Sequence, residues 1–109
     1  MHFEVVKIVN STHNLQFIFS NELIVETDDA DLFSPYKSYD IQISRNIPID
    51  ETIKLYAKTT NNISSHVGVV IKKTTNSLHI CSGNTQWIFS NNICSFKPGM
   101  DVWISVEKL

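Results

Sequence analysis

Short apolar runs recur along the whole chain and are rich in β-branched and aromatic residues, while Asn, Ser, Asp and Gly fill the positions between them. This arrangement is typical of strands joined by turns. Apolar residues nowhere recur at helical spacing over three turns, and the best helical candidate is one capped turn at residues 27–32. We therefore predict an all-β chain with strands at residues 3–9, 15–19, 23–26, 39–44, 53–59, 67–73, 78–81, 85–89, 93–96 and 102–106.

Alternation within these strands predicts which side chains face a core. Ile41 and Ile43 stand two positions apart, and Val102, Ile104 and Val106 repeat this spacing near the end of the chain. Successive side chains of a strand point to opposite faces, so each apolar set forms one buried face. The spacing of the strands indicates a small barrel or sandwich.

An internal repeat relates two parts of the chain. Residues 14–21 (NLQFIFSN) match residues 84–91 (NTQWIFSN) at six of eight positions. Residues 39–44 (YDIQIS) then match residues 100–105 (MDVWIS) in the same order. A repeat of this kind predicts related structural units.

The repeat divides the chain into three predicted parts. We place a first β unit at residues 1–49 and a second at residues 66–109, with a linking strand and a polar linker at residues 50–65. The predicted fold is therefore two small OB-like β-barrel units in tandem, all-β and related by the internal repeat.

Composition and charge narrow the class of protein. The chain has 109 residues, 42% of them hydrophobic and 18% charged, which is enough for the core of one ordinary domain. Its formal charge of −2 implies no strongly basic face, so nucleic acid is not the favoured partner. Neither a signal-peptide pattern nor an apolar stretch long enough to span a bilayer is present, so we expect a soluble, cytoplasmic protein without direct membrane insertion.

Residues that carry catalytic or metal chemistry do not form recognisable motifs. The four histidines lack metal-ligand spacing, and Cys81 and Cys94 fall on apolar strands, where we expect small core residues. A Gly-rich phosphate loop and a Gly-x-Ser-x-Gly element are both missing. The acidic residues Asp28, Asp29 and Asp31 lack the spacing of a calcium loop and indicate a solvated loop. We predict neither an enzyme nor a metal site.

Three stretches resemble one family. Residues 41–49 (IQISRNIPI) are similar to the family's strand followed by I-x-x-x-D-V-x-L, and residues 60–70 (TNNISSHVGVV) to its T-S-x-x-N-x-L-x-G-x-V. Residues 96–99 (FKPG), followed by the strand at 102–106, are similar to its L-x-P-G-x-x-V-x-A-x-I-K. These stretches resemble tandem Mop/TOBE (molybdate-binding-type) domains, as found at the C-terminus of molybdate-transport ATPases. Ser64 stands where the family has Asn, and Glu107 where it has a basic residue.

The resemblance implies a non-enzymatic regulatory or oxyanion-binding domain of an ABC-transport ATPase, or a free-standing molbindin-like protein. The implied ligand is molybdate or tungstate, with no other cofactor, and the implied partners are a second copy of the chain or an ATPase subunit. Turn N–H groups and Ser or Thr hydroxyls can form a donor nest for such an anion. The candidate ligand-binding residues are Thr60, Asn61, Asn62, Ser64, Ser65 and Lys108.

Other interpretations remain open from the residues alone. The polar run at residues 60–65 also fits a solvated linker between two units. A protein-interaction module of the immunity or inhibitor type would use the acidic loop at residues 28–31 as its contact. A single-strand nucleic-acid-binding OB-like module would use Trp87, Trp103 and Lys97.

Overall fold

The computed structural model describes residues 2–45, 63–90 and 96–109. Within these ranges the chain forms strands joined by turns and one short 3-10 turn at Ser20–Glu22. None of the described residues belongs to a helix long and apolar enough to cross a membrane. The strands are β1 (His2–Asn10), β2 (Leu15–Phe19), β3 (Leu23–Thr27), β4 (Ser38–Ser44), β5 (Ile63–Lys73), β6 (Leu78–Ser82), β7 (Thr85–Phe89) and β8 (Asp101–Lys108).

These strands close into one barrel in the order β1-β2-β3-β7-β6-β5-β8-β4, and every pairing is antiparallel. Closure leaves no strand of the described barrel with an unpaired edge. The predictions of an all-β chain and of a barrel are thus confirmed.

Two seams join the strands of residues 2–45 to those of residues 63–109. One is β3 against β7, and the other is β4 against β8. Within each part the strands follow the same spatial order, with the fourth strand beside the first: β4-β1-β2-β3 and β8-β5-β6-β7. Both parts contribute to a single closed sheet, and their division into two tandem units stays a prediction.

The two best-matching sequence segments lie on either side of β3. Residues 15–19 of the first segment form β2, and residues 85–89 of the second form β7. Phe17 on β2 and Trp87 on β7 both pair with Val25 on β3, so they occupy the same level of the barrel. They are not the same strand of each part, because β2 is the second strand of its part and β7 the third.

The inward side chains fill the barrel with apolar groups. The faces predicted from alternation are buried at Ile41, Val102, Ile104 and Val106, while Ile43 packs against the core and is partly buried. Phe33 comes from the segment between β3 and β4, and its ring lies among four other aromatic rings. The centroid distances are 4.9 Å to Phe19, 5.1 Å to Tyr39, 5.3 Å to Phe17 and 5.9 Å to Trp87, all edge-to-face.

Most predicted strands match the structure, and the differences have local causes. The predicted strands at 53–59 and 93–96 fall wholly or largely outside the described residues. The best helical candidate, at residues 27–32, forms no helix: after Thr27 ends β3 the chain turns, and the Asp29 N–H donates to Thr27 Oγ1 and the Asp31 N–H to Asp29 Oδ1. These short side chains satisfy the backbone without a helix.

The core role predicted for Cys81 is also wrong, while Cys94 lies outside the described residues. On β6 the buried positions are Leu78 and Ile80. Cys81 falls on the other face of the strand and is half-buried there. Its thiol donates a hydrogen bond to the Gly83 carbonyl over 3.6 Å.

Candidate functional site

One end of the barrel brings together several polar residues above an aromatic floor. β3 and β8 end here, at Thr27 and Lys108, and β5 begins here, at Ile63. The start of β5 lies beside the end of β8 because Ile63 pairs with Glu107. The segment from Asp28 to Lys37 crosses this end on its way to β4 and carries Phe33 into the core. We call this end of the barrel the Phe33 mouth.

The structure separates the predicted ligand-binding residues. Thr60, Asn61 and Asn62 lie outside the described residues. Ser64 pairs with buried Val106 and is therefore on the inward-facing series of β5, at the exposed rim of the Phe33 mouth. Lys108 is exposed and stands two positions beyond Val106 on β8, so it belongs to the same rim.

Ser65 faces away from the mouth. It pairs with Ser105, which lies on the outer face of β8, because adjacent residues of a strand point to opposite sides. Ser64 and Ser65 therefore cannot serve one small ligand together. The polar run that fits a linker in the sequence is already part of β5 from Ile63 onward.

His66 is a site residue that the sequence did not single out. It follows Ser64 on the inward series of β5, and its ring lies 5.2 Å from the Trp87 ring. The Ser64 hydroxyl and His66 Nε2 are 3.2 Å apart, within hydrogen-bond distance. The sequence prediction began this strand at residue 67, so it gave no signal that His66 would face inward.

Burial controls the protonation of His66. Desolvation lowers the pKa of His66 from its ordinary value of 6.5, and the negative charge of Asp29 opposes this shift. Burial is the larger effect because it disfavours the charged imidazolium. At neutral pH the ring is therefore uncharged and can both donate and accept a hydrogen bond.

Trp87 contributes a buried hydrogen-bond donor next to His66. Its side chain is fully buried, and its indole N–H has no hydrogen-bond partner among the described residues. A buried donor without an acceptor costs free energy, so such a group calls for an explanation. Because the indole is fully buried, an acceptor for this N–H would have to lie inside the barrel.

The Ser64–His66 contact alone does not indicate nucleophilic catalysis. On the outer face of β6 and its preceding turn, Ser77 Oγ and His79 Nε2 make the same contact over 3.1 Å. The contact therefore follows from the two-residue spacing along an extended chain. A nucleophile would also need an orienting group for its base and donors for an oxyanion.

The described residues hold no group of three or more His, Cys, Asp or Glu side chains that could bind a metal ion. No family model matches the chain, and a search of curated proteins finds no relative.

Proposed function

We propose that this chain is a non-enzymatic binding domain that takes a small oxyanion of the molybdate or tungstate type at the Phe33 mouth. One observation carries the proposal: Ser64 and Lys108 belong to the same exposed rim of the barrel, and His66 follows Ser64 on the inward series of β5 just below that rim. A tetrahedral oxyanion accepts hydrogen bonds on every oxygen, so a rim of hydroxyl, imidazole and ammonium donors suits it. The Mop/TOBE resemblance supports the same ligand class.

The electrostatics of the mouth couple anion binding to the protonation of His66. Lys108 supplies one positive charge, while Asp29 places a negative charge near His66. Protonation of His66 would offset Asp29, and a bound anion favours that protonation. Binding should therefore take up a proton and tighten as the pH falls.

The experiment is a calorimetric titration of the purified protein with molybdate, tungstate and sulfate. We expect saturable binding of molybdate or tungstate and little response to sulfate. Lys108→Gln should weaken binding about ten- to a hundred-fold, because it removes a charged hydrogen bond worth about 1.5–3 kcal/mol. Lys97→Gln is the matched control, since Lys97 is an exposed lysine at the other end of β8. Absence of heat at millimolar ligand overturns the proposal.

The wider setting is proposed on the resemblance. In that setting the chain senses cytoplasmic oxyanion, or holds ATPase subunits together, in an ABC-transport system, either as a homo-oligomer or as part of the ATPase. Its finer architecture would be two related β units, at residues 1–49 and 66–109. The repeated strand order β4-β1-β2-β3 and β8-β5-β6-β7 supports that division, although the matching strands β2 and β7 do not take equivalent places in it.

A protein-interaction module is the second candidate, and one surface favours it. A groove of about 300 Å³ beside the irregular pairing of β1 is lined in part by Val6, Pro35 and Tyr36. Val6 is 49% exposed and Tyr36 78% exposed. Apolar side chains exposed together are characteristic of contact surfaces.

The structure removes Trp87 from the residues that a single-strand nucleic-acid-binding module would use. Its side chain is fully buried and has no exposed face on which a base could stack.

A further inference from the structure

The outer wall of the barrel carries a second polar concavity, between β4 and β8. Side chains at alternate positions face each other there in three rows: Asp40 with Glu107, Gln42 with Ser105, and Ser44 with Trp103. Together they line a groove of about 190 Å³. This volume is below the range of roughly 300–1,000 Å³ for drug-sized ligands, so the groove suits one small ring.

The groove mixes hydrogen-bonding groups of both kinds with one aromatic surface. Asp40 and Glu107 accept hydrogen bonds, whereas the Gln42 amide and the Ser105 hydroxyl both donate and accept. Gln42 Nε2 donates to Asp40 Oδ2 over 3.3 Å, which orients the amide and the carboxylate along one edge. Trp103 is half-buried and adds an indole surface at one end of the groove.

A monosaccharide fits this combination. Its hydroxyls donate and accept at once, so carboxylate, amide and hydroxyl partners can all be used. Its ring also has an apolar face of C–H groups, which packs on an indole surface. A cation offers donors only, so it would pair with the two carboxylates and would not use the second N–H of the Gln42 amide or the O–H of Ser105.

We propose that the groove between β4 and β8 binds a neutral monosaccharide, with Trp103 as the stacking surface and Asp40, Gln42 and Glu107 as the hydrogen-bonding groups. The site is independent of the Phe33 mouth. Its residues occupy the outward series of β4 and β8, while Ser64 and His66 occupy the inward series of β5.

The test is an NMR titration of the isotope-labelled protein with glucose, galactose, mannose and N-acetylglucosamine. Each sugar is added up to about 50 mM, because a small site is expected to bind weakly. We expect at least one sugar to give saturable shifts at the Trp103 indole N–H and along β4 and β8. Trp103→Ala should weaken binding by roughly two- to ten-fold, which is what one aromatic contact contributes. Gln42→Ala, at an exposed position, tests the site even if Trp103→Ala does not fold.

Asp101→Asn is the matched control. Asp101 is an exposed carboxylate on the same outer face of β8, opposite Val69 and outside the groove, so its loss should leave sugar binding unchanged. Titration with argininamide tests a cation in the same groove. Shifts with argininamide and with none of the four sugars would overturn the proposal, as would flat titrations throughout. A sugar response that survives both Trp103→Ala and Gln42→Ala would also overturn it.

Discussion

At position 68 the barrel has no space for a side chain. Gly68 pairs with buried Val102, and a Cβ there would lie 2.6 Å from the Cys81 carbonyl oxygen and 3.0 Å from Ile80 Cγ2. The first contact is with backbone of the neighbouring strand, which cannot move aside without disturbing β6. We expect Gly68→Ala to destabilise the protein by about 1–3 kcal/mol, measured by urea unfolding.

Gly83→Asn is the control for that substitution. Nothing lies within 4 Å of a Cβ at Gly83, and its φ of +60° is a conformation that Asn accepts. Asn is among the residues that adopt this conformation at least cost, so the loss should stay below about 1 kcal/mol. Equal losses in the two variants would mean that close strand approach is not what requires glycine at position 68.

His66 gives the stability of the barrel a dependence on pH. Its pKa in the folded protein is lowered by burial below the ordinary value of 6.5, so the unfolded chain binds a proton that the folded chain does not. The free energy of unfolding is therefore highest above about pH 6.5 and falls as the pH drops from there to the folded-state pKa. We expect His66→Gln to remove this part of the slope in urea unfolding measured between pH 8 and 5.

Ser64→Ala supplies the comparison, because it removes the hydroxyl beside His66 Nε2 and keeps the imidazole in place. Its pH profile should follow that of the wild type. A wild-type slope retained in His66→Gln would show that burial of this imidazole does not govern the effect.

At the scale of elements, the segment between β3 and β4 packs across the Phe33 mouth through Phe33. Phe33 is 3% exposed and touches four aromatic rings, and the backbone N–H of the next residue, Ser34, donates to the Tyr39 hydroxyl over 2.8 Å. We expect Phe33→Ala to cost about 3–5 kcal/mol and Phe33→Leu less, by chemical denaturation. Tyr36→Ala in the same segment should change stability little, since Tyr36 is 78% exposed. A mild effect of Phe33→Ala would mean that the segment packs loosely.

Strand prediction succeeded where apolar side chains take the inward positions. The bounds of β2 and β7 agree with the sequence prediction, and β8 differs only by short extensions. The start of β5 was missed because Ser64, His66 and Gly68 take the inward positions there, so no apolar alternation marks the strand. Those same departures from apolar patterning are what bring polar groups to the Phe33 mouth.

The candidate sites depended on register, which composition alone does not determine. The sequence grouped Ser64 with Ser65 because they are adjacent, yet adjacent strand residues face opposite sides. The groove residues Asp40 and Glu107 are distant in sequence and meet only through the pairing of β4 with β8. The apolar alternation at Ile104 and Val106 implies that Trp103 points outward, so the orientation of this side chain could be predicted from the sequence.

At the scale of the whole molecule, the two seams bear on whether residues 2–45 or residues 63–109 can fold without the other part. Residues 2–45 supply Phe17, Phe19 and Phe33 to the core, and residues 63–109 supply Trp87 against them. Separated from its partner, each part would expose this apolar face and the unpaired edges of two strands. A barrel closed through β3·β7 and β4·β8 should therefore unfold in a single transition.

Fragments spanning residues 1–49 and 50–109 test this directly. We expect each fragment alone to lack dispersed NMR signals and the two mixed together to regain them, because closure of both seams buries the shared core. Both tryptophans belong to the second fragment, and Trp87 is fully buried in the closed barrel. Its fluorescence should therefore shift to shorter wavelength on mixing. If residues 1–49 fold alone, the tandem units of the sequence prediction are independent domains and the seams are interfaces between them. If only the mixture folds, the closed barrel is the smallest part of the chain that folds. The two parts would then be related in sequence and in strand order without being independent domains.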